Sequence, residues 1–321
     1  MSQIYGEGQY RYTISSQWGE VPAEITLGEV AAVALDHDDN VYVFNRGPDP
    51  MVVFDDQGNF LRSWGAEFFV RAHGAHFAKD GMLYLTDDGN HTVSKCTIDG
   101  KVLLTLGIPN SPAPFMSLQP FNRCTHTALS PSGDIYVSDG YGNACIHKYA
   151  PNGKHLLSWG ESGTGPGEFN LPHNICCDPD GWVYVADRES HRIQVFDANG
   201  LFETQWSNIH RPCGLYMPND ACPICYVGEL GPVLDVNRQF PNLGPRISIL
   251  DNRGRVLARV NQPTDTNYTP SRFIAPHGLA VDSRGDVYVG EVSATAWPQT
   301  YPNKTAPMDL PTLRKMTRII D

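Results

Sequence analysis

Phe169-Asn-Leu-Pro-His173-Asn-Ile-Cys-Cys-Asp-Pro-Asp-Gly181-Trp-Val183-Tyr-Val-Ala-Asp187-Arg188 reads as strand, tight turn, strand. Leu171 to Asp178 is a short, mostly apolar run. Asp178-Pro-Asp-Gly181 is a turn in which the glycine supplies the backbone freedom that the reversal needs. Val183-Tyr-Val has the β-branched and aromatic content of a second strand.

Working outward, the second-strand signature recurs as Val41-Tyr-Val, Leu83-Tyr-Leu, Ile135-Tyr-Val, Cys225-Tyr-Val and Val287-Tyr-Val. The copies are spaced by roughly 40 to 60 residues, the length of a four-stranded propeller blade. The remainder of each unit agrees with that reading. Unit 1 continues through Met51-Val-Val-Phe, a turn at Gly58 and a strand ending at Trp64-Gly65. Unit 3 continues through Cys145, Gly153 and Trp159-Gly160, and units 4 and 5 through Gly200 and Gly254. Each is alternation, Asx/Gly turn, alternation. These features predict an all-β, six-bladed β-propeller spanning residues 1–321 as one domain. Unit 6 runs out near Lys315-Met-Thr-Arg-Ile-Ile320, which supplies a third strand. The N-terminal Tyr10-Arg-Tyr-Thr-Ile-Ser-Ser-Gln-Trp18-Gly19 resembles an orphan fourth strand. It is expected to complete the last blade, close the ring and remove an exposed edge. Long insertions at Ile108 to Gln119, Gly231 to Pro245 and Trp297 to Pro311 are candidates to frame a pocket.

The formal net charge of −11 argues against nucleic acid as a partner, because neutralising phosphates takes a basic surface. No run of about 18 apolar residues predicts a membrane-spanning helix, so no membrane partner is expected. The start of the chain has neither a basic n-region nor an apolar h-region, so the expected location is cytoplasmic. Eight scattered cysteines do not form a disulfide framework. Cys222-Pro-Ile-Cys225 is a lone Cys-x-x-Cys with no second pair at zinc-ribbon spacing.

The polar residues fall at fixed places in the repeat. Counting back eight residues from the first turn's glycine leads from Gly81 to His73, from Gly181 to His173 and from Gly285 to His277. The same position is Thr125 in unit 3 and Cys213 in unit 5; in unit 1, counted from Asn40, it is Ala32. Three histidines therefore hold one position in alternate blades, at the start of the strand that lines the axis. Three converging imidazoles with open positions suit a transition metal such as zinc. The competing reading, hydrogen-bonded strand caps, is favoured for one histidine but not for three in register. Among the other histidines His76, three past His73, is the one most worth following. Cys213 reads as a packed thiol.

The end of the second strand meets the same face. Arg46 and Arg188 hold equivalent slots there, and Tyr141 lies one past that slot in unit 3. Two guanidiniums beside three histidines suggest an anionic, carboxylate substrate. A tyrosine near a metal and two cations should have a lowered pKa and suit a general base. The bland alternative is that the arginines pair with Asp87, Asp139, Asp187 or Glu229.

These residues carry a resemblance over most of the chain. The repeats look like NHL repeats, and the whole resembles the peptidyl-α-hydroxyglycine α-amidating lyases (peptidylamidoglycolate lyases). The matching segments include Asn45-Arg46-Gly47, Ala72-His73-Gly74, Ser138-Asp-Gly-Tyr141-Gly-Asn143, Leu171-Pro-His173, Ala186-Asp-Arg188-Glu and Ala275-Pro-His277. The resemblance implies a zinc site (or another divalent transition metal) at His73, His173 and His277, with Tyr141 as base. It further implies that Arg46, Arg188 and Asn143 bind substrate, and that the chemistry is cleavage of a carbinolamine. Departures narrow it. Ala275 replaces a methionine of the lyases. Gly278 stands where they carry an aspartate implicated in calcium binding, which disfavours Ca2+. Their disulfide cysteines would fall at Gly142, Tyr184 and Val195, which fits a reducing compartment. Two other readings compete: a metal-dependent hydrolase or hydratase on the same scaffold, and a non-catalytic NHL binding scaffold.

Overall fold

A computed structural model describes residues 3–218, 224–238, 240–260 and 268–320. Among these residues the strands form six sheets, five of four strands and one of five. The five four-stranded sheets are antiparallel meanders of consecutive strands. The innermost strands are Val30–Leu35, Ala72–Phe77, Cys124–Leu129, Pro172–Cys177, Pro212–Tyr216 and Pro276–Val281. Each contacts the innermost strands of two neighbouring sheets, so the six surround a common axis as a six-bladed β-propeller. Blades are numbered 1 to 6 in the order of those strands.

Blade 6 continues with Val287–Glu291 and Leu313–Arg318. Its next strand comes from the other end of the chain: Tyr10–Ile14 pairs antiparallel with Leu313–Arg318, with Tyr12 opposite Arg318 and Ile14 opposite Met316. A further short strand, Tyr5–Glu7, pairs with Tyr10–Ile14 outside it. The sequence pattern gave no sign of that fifth strand.

The Asp-x-x-Gly turns have a local cause. Asp178 Oδ1 accepts the backbone N–H groups of Asp180 and Trp182, and Asp282 Oδ1 those of Arg284 and Asp286. Gly181 takes a φ of 90°, which an L side chain resists. The turn in blade 1 differs from the others. There Asp39, with φ 60°, occupies the place of the turn glycine, and Asp36 N pairs with Asn40 O as Asp282 N pairs with Asp286 O. The residue equivalent to the three histidines is therefore Ala31, not Ala32.

The outer turns explain the recurrent tryptophans. A Cβ on Gly100 would lie 2.5 Å from the ring of Trp64, on Gly200 2.5 Å from Trp159 and on Gly254 2.2 Å from Trp206. The outer strand of one blade thus rests its tryptophan on the bare turn of the next. Trp18 meets Gly58 in the same way, 3.3 Å from a Cβ there. Between blades the core is aromatic and β-branched, as in the cluster of Tyr136, Ile146, Phe169, Val185 and Phe196. Each such fully buried side chain stabilises by about 1.5–3 kcal/mol.

A third repeated device positions the site. The second strand of each blade ends in a buried polar side chain: Asn45, Asp87, Asp139, Asp187, Glu229 or Glu291. These accept backbone N–H groups from the segment leading into the innermost strand. Asp87 takes Val70 and Arg71, Asp187 takes Asn170, Glu229 takes His210, and Glu291 takes Ile274 and Ala275. Side-chain partners on the third strand complete four of them: His147 on Asp139, Arg192 on Asp187, Arg246 on Glu229 and Arg314 on Glu291. These acids are therefore committed to the scaffold, and the arginines of the axial face find other partners.

Among the described residues no helix is long and apolar enough to cross a membrane. One α-helix, Ser293–Thr300, lies in the connection between two strands of blade 6. It begins just before the insertion expected from Trp297 onward.

Candidate metal centre and anion cavity

His73, His173 and His277 are each the second residue of an innermost strand and are 1–4% exposed. Their ring centroids form a nearly equilateral triangle, 5.0, 4.8 and 4.8 Å on a side. One nitrogen from each lies within 4.8 Å of the others. In each ring Nδ1 faces the carbonyl of the equivalent residue in the next blade: Thr125 O at 2.6 Å, Cys213 O at 2.7 Å and Ala31 O at 2.6 Å. A carbonyl only accepts, so Nδ1 carries the proton and the Nε2 lone pair is free to ligate. Burial, then mutual repulsion among the imidazoles and nearby arginines, holds all three well below the usual histidine range. They are neutral at physiological pH. Neutral imidazoles with fixed tautomers, each oriented by a carbonyl, match the way proteins prepare histidine for a divalent transition metal.

Tyr141 stands against this trio. Its Oη lies 3.0 Å from His73 Nε2 and 3.1 Å from His173 Nε2. The protein's own groups act on its pKa in opposite directions. Burial pushes the phenol up, and the charges of Arg188 and Arg46 offset this only in part.

Arg46 and Arg188 follow the second strands of blades 1 and 4, and both line a cavity of about 240 Å³ that also includes Tyr141 and His277. Neither uses the acids named as alternatives. Arg46 pairs with Glu29 at 3.1 Å, and its Nε donates to Ala72 O. Arg188 opens a short 3-10 turn, Arg188–Ser190, and pairs with Glu189 at 2.7 Å.

Asn143 is not brought to the cavity. It is fully buried, donates to Gln119 O and Asp139 Oδ2, and accepts from Leu118 N. Its place is to anchor the 108–119 insertion. That insertion does not line the cavity, whereas Gly231 and Val233 of the second insertion and Gln299 and Thr300 of the third do. Cys213 is buried with Sγ 3.5–3.8 Å from the His173 ring nitrogens, and burial holds its thiol up at about 11. His76 belongs to a second cavity, about 560 Å³, at the opposite ends of the inner strands. Burial takes it down to about 4. Cys222 lies outside the described residues, and the seven described cysteines are free.

Three further arginines line the cavity: Arg71, Arg123 and Arg211. Each precedes the histidine position by two residues, in blades 2, 3 and 5. That common register was available in the sequence. Arg123 and Arg211 take φ values of 61° and 46°, uncommon for a non-glycine residue. Their N–H groups donate to His91 Nδ1 and His191 Nδ1, each at 3.1 Å, so two of the histidines outside the triplet serve to aim arginines.

Comparison with known proteins adds to this picture. Residues 169–196 match the NHL repeat. The chain is 30% identical to peptidyl-glycine alpha-amidating monooxygenase A of Xenopus laevis, over 87% of this chain and 32% of that protein. It is 29% identical to peptidyl-alpha-hydroxyglycine alpha-amidating lyase 1 of Drosophila melanogaster, over 88% of this chain and 58% of that protein. This is an NHL-repeat propeller that resembles the amidating lyases. The chain spans about a third of the length of the amidating monooxygenases it matches. A human NHL repeat-containing protein 3 is 32% identical over 61% of this chain and 60% of its own length. Among solved structures, a streptogramin B lyase superposes with a TM-score of 0.60 at 12% identity, covering 95% of this chain and 97% of that one. That likeness concerns the propeller fold.

Proposed function

We propose that this propeller is a zinc-dependent lyase that cleaves a small carbinolamine carboxylate, R–CO–NH–CH(OH)–COO⁻, into an amide and glyoxylate. The observation that carries it is the convergence of three carbonyl-oriented imidazoles on the Tyr141 hydroxyl beside an arginine-lined cavity. The relatives named as amidating lyases support the same reaction class.

His73, His173 and His277 would hold the zinc through Nε2. The metal supplies a Lewis acid that lowers the pKa of a hydroxyl near it. Gly278 offers no carboxylate for calcium, and a Cβ there would already lie 2.4 Å from Ala32 Cα. The residues of the chain supply the rest. Arg46 and Arg188 bind the substrate carboxylate and fix the carbinol carbon near Tyr141. Tyr141, as phenolate, takes the carbinol proton; the C–O bond becomes C=O, the C–N bond breaks, and the amide nitrogen gains the electron pair and a proton. No oxidant is needed. The guanidiniums of Arg188 and Arg46 favour the phenolate against burial, and a bound metal would favour it further. The free cysteines support a reducing, cytoplasmic setting.

The test is elemental analysis of the purified protein and of His173→Ala, followed by glyoxylate release from an N-acyl-α-hydroxyglycine. Near one zinc per chain, lost in the variant, together with glyoxylate release that Tyr141→Phe abolishes, is the expected result. Protein that takes up no transition metal even on add-back overturns the reading.

A further inference from the structure

Five guanidiniums face the cavity, and three carboxylates answer them. Arg71 and Arg123 both donate to the same oxygen of Asp88, at 2.5 and 2.7 Å. The other oxygen of Asp88 is buried and accepts no hydrogen bond. Arg188 and Arg211 likewise share Glu189, at 2.7 and 2.9 Å. Only Arg46 has a carboxylate to itself, Glu29, and that group also accepts from the backbone and hydroxyl of Thr295. Among the described residues, each shared carboxylate leaves one positive charge uncompensated. One surplus sits on blades 2 and 3, the other on blades 4 and 5. Both touch Tyr141: the guanidinium carbon of Arg123 is 4.6 Å from its ring centre and that of Arg188 is 5.8 Å. In a chain of net charge −11, this concentration of cations marks a place built for anions.

We infer that the substrate carries two carboxylates. This deepens the lyase reading and rests on its assignment of one carboxylate to Arg46 and Arg188. The second carboxylate belongs on the acyl side of the scissile C–N bond and is received by Arg71 and Arg123. A surplus of one charge at that pole matches a carboxylate rather than a doubly charged phosphate. Cavity size selects within that class. About 240 Å³ lies below the roughly 300–1,000 Å³ of sites for drug-sized ligands, so the acyl group is short. Helix Ser293–Thr300, contributing Thr295, Ala296, Gln299 and Thr300, forms one wall and limits the length further.

The experiment is calorimetric titration of the purified, metal-replete chain with glutarate and with butyrate at matched ionic strength. Glutarate should bind about tenfold more tightly or better, the size expected for one added charge-assisted Arg–carboxylate contact. Arg123→Gln and Arg71→Gln should each erase most of that preference. Arg123 keeps 44% of its side chain exposed, so its replacement is unlike a core substitution, and an unchanged thermal midpoint checks the fold. Equal affinities, no binding of either acid, or a preference untouched by both variants would overturn the inference. Turnover separates the two readings. If N-acetyl-α-hydroxyglycine releases glyoxylate as efficiently as its N-succinyl counterpart, the lyase stands and the dicarboxylate substrate falls. If glutarate is preferred but neither compound is cleaved, the reverse holds.

Discussion

Replacing Glu189 by Gln should weaken the protein at neutral pH and far less in acid. Glu189 accepts from Arg188 Nε at 2.7 Å and from Arg211 Nη2 and Nε at 2.9 and 3.0 Å. Burial opposes its charged form, but the Arg211 hydrogen bonds and the charge of Arg188 outweigh burial and hold the carboxyl at about 2, against 4.5 ordinarily. A depressed carboxyl stabilises the folded state above its unfolded pKa, and that stability is lost as pH falls through the folded value. The gap between the two values corresponds to roughly 3 kcal/mol at pH 7, and about half of that remains near pH 3. Glu189 keeps 29% of its side chain exposed, so solvent screening makes this an upper figure. Urea unfolding followed by tryptophan fluorescence, for wild type and Glu189→Gln between about pH 7 and pH 3, measures it. The two stability curves should be up to about 3 kcal/mol apart at neutral pH and converge below about pH 4.5. Curves that stay parallel down to pH 3, or that coincide at pH 7, would refute the claim that Glu189 holds these two guanidiniums.

Other outcomes follow from the same geometry. Chelation should lower the thermal midpoint, because a metal at 100 times its dissociation constant contributes about 2.7 kcal/mol; a scan with and without chelator reads this, and His277→Ala should remove the difference. Gly278→Ala places a Cβ 2.4 Å from Ala32 Cα and 2.8 Å from Ala31 O, both backbone atoms that have little room to yield. It should cost about 1–3 kcal/mol or more by denaturant unfolding and reduce metal content alongside, since it adjoins His277. Gly200→Ala meets the Trp159 ring at 2.5 Å and a φ of 79°, so it should destabilise comparably while leaving metal content intact, as elemental analysis would show. Deleting the residues before Ser15 removes the strand paired with Leu313–Arg318 and should abolish cooperative unfolding in calorimetry.

Much of the site was legible because the repeat sets a ruler along the chain. Turn glycines at a fixed offset from the inner strand were enough to align His73, His173 and His277, and the end of the second strand placed Arg46, Arg188 and Tyr141. The ruler slipped where its mark was absent: with Asp39 serving as the left-handed turn residue, the count in blade 1 landed one residue late. Asn143 was misplaced for a different reason. Its neighbour Tyr141 points to the axis, but backbone direction changes within two residues of a loop, and Asn143 turns to the 108–119 segment instead. Arg71, Arg123 and Arg211 went unnoticed although they share a register. How deeply the Tyr141 ring is buried is a property of the assembled blades that no residue spacing expresses.

Each histidine of the trio donates to a carbonyl in the following blade, and for His277 that carbonyl belongs to Ala31. The last imidazole is therefore oriented by a residue that lies 246 positions earlier in the chain. A nascent chain still short of residue 277 holds two of the three ligands at most, and the third arrives only with contacts of very long sequence separation, the kind that form slowly. On the proposed reading, competence to bind metal would follow the meeting of blades 1 and 6. If the trio holds zinc as proposed, the time at which a refolding sample first withdraws it from a weak indicator would date the meeting of the first and last blades.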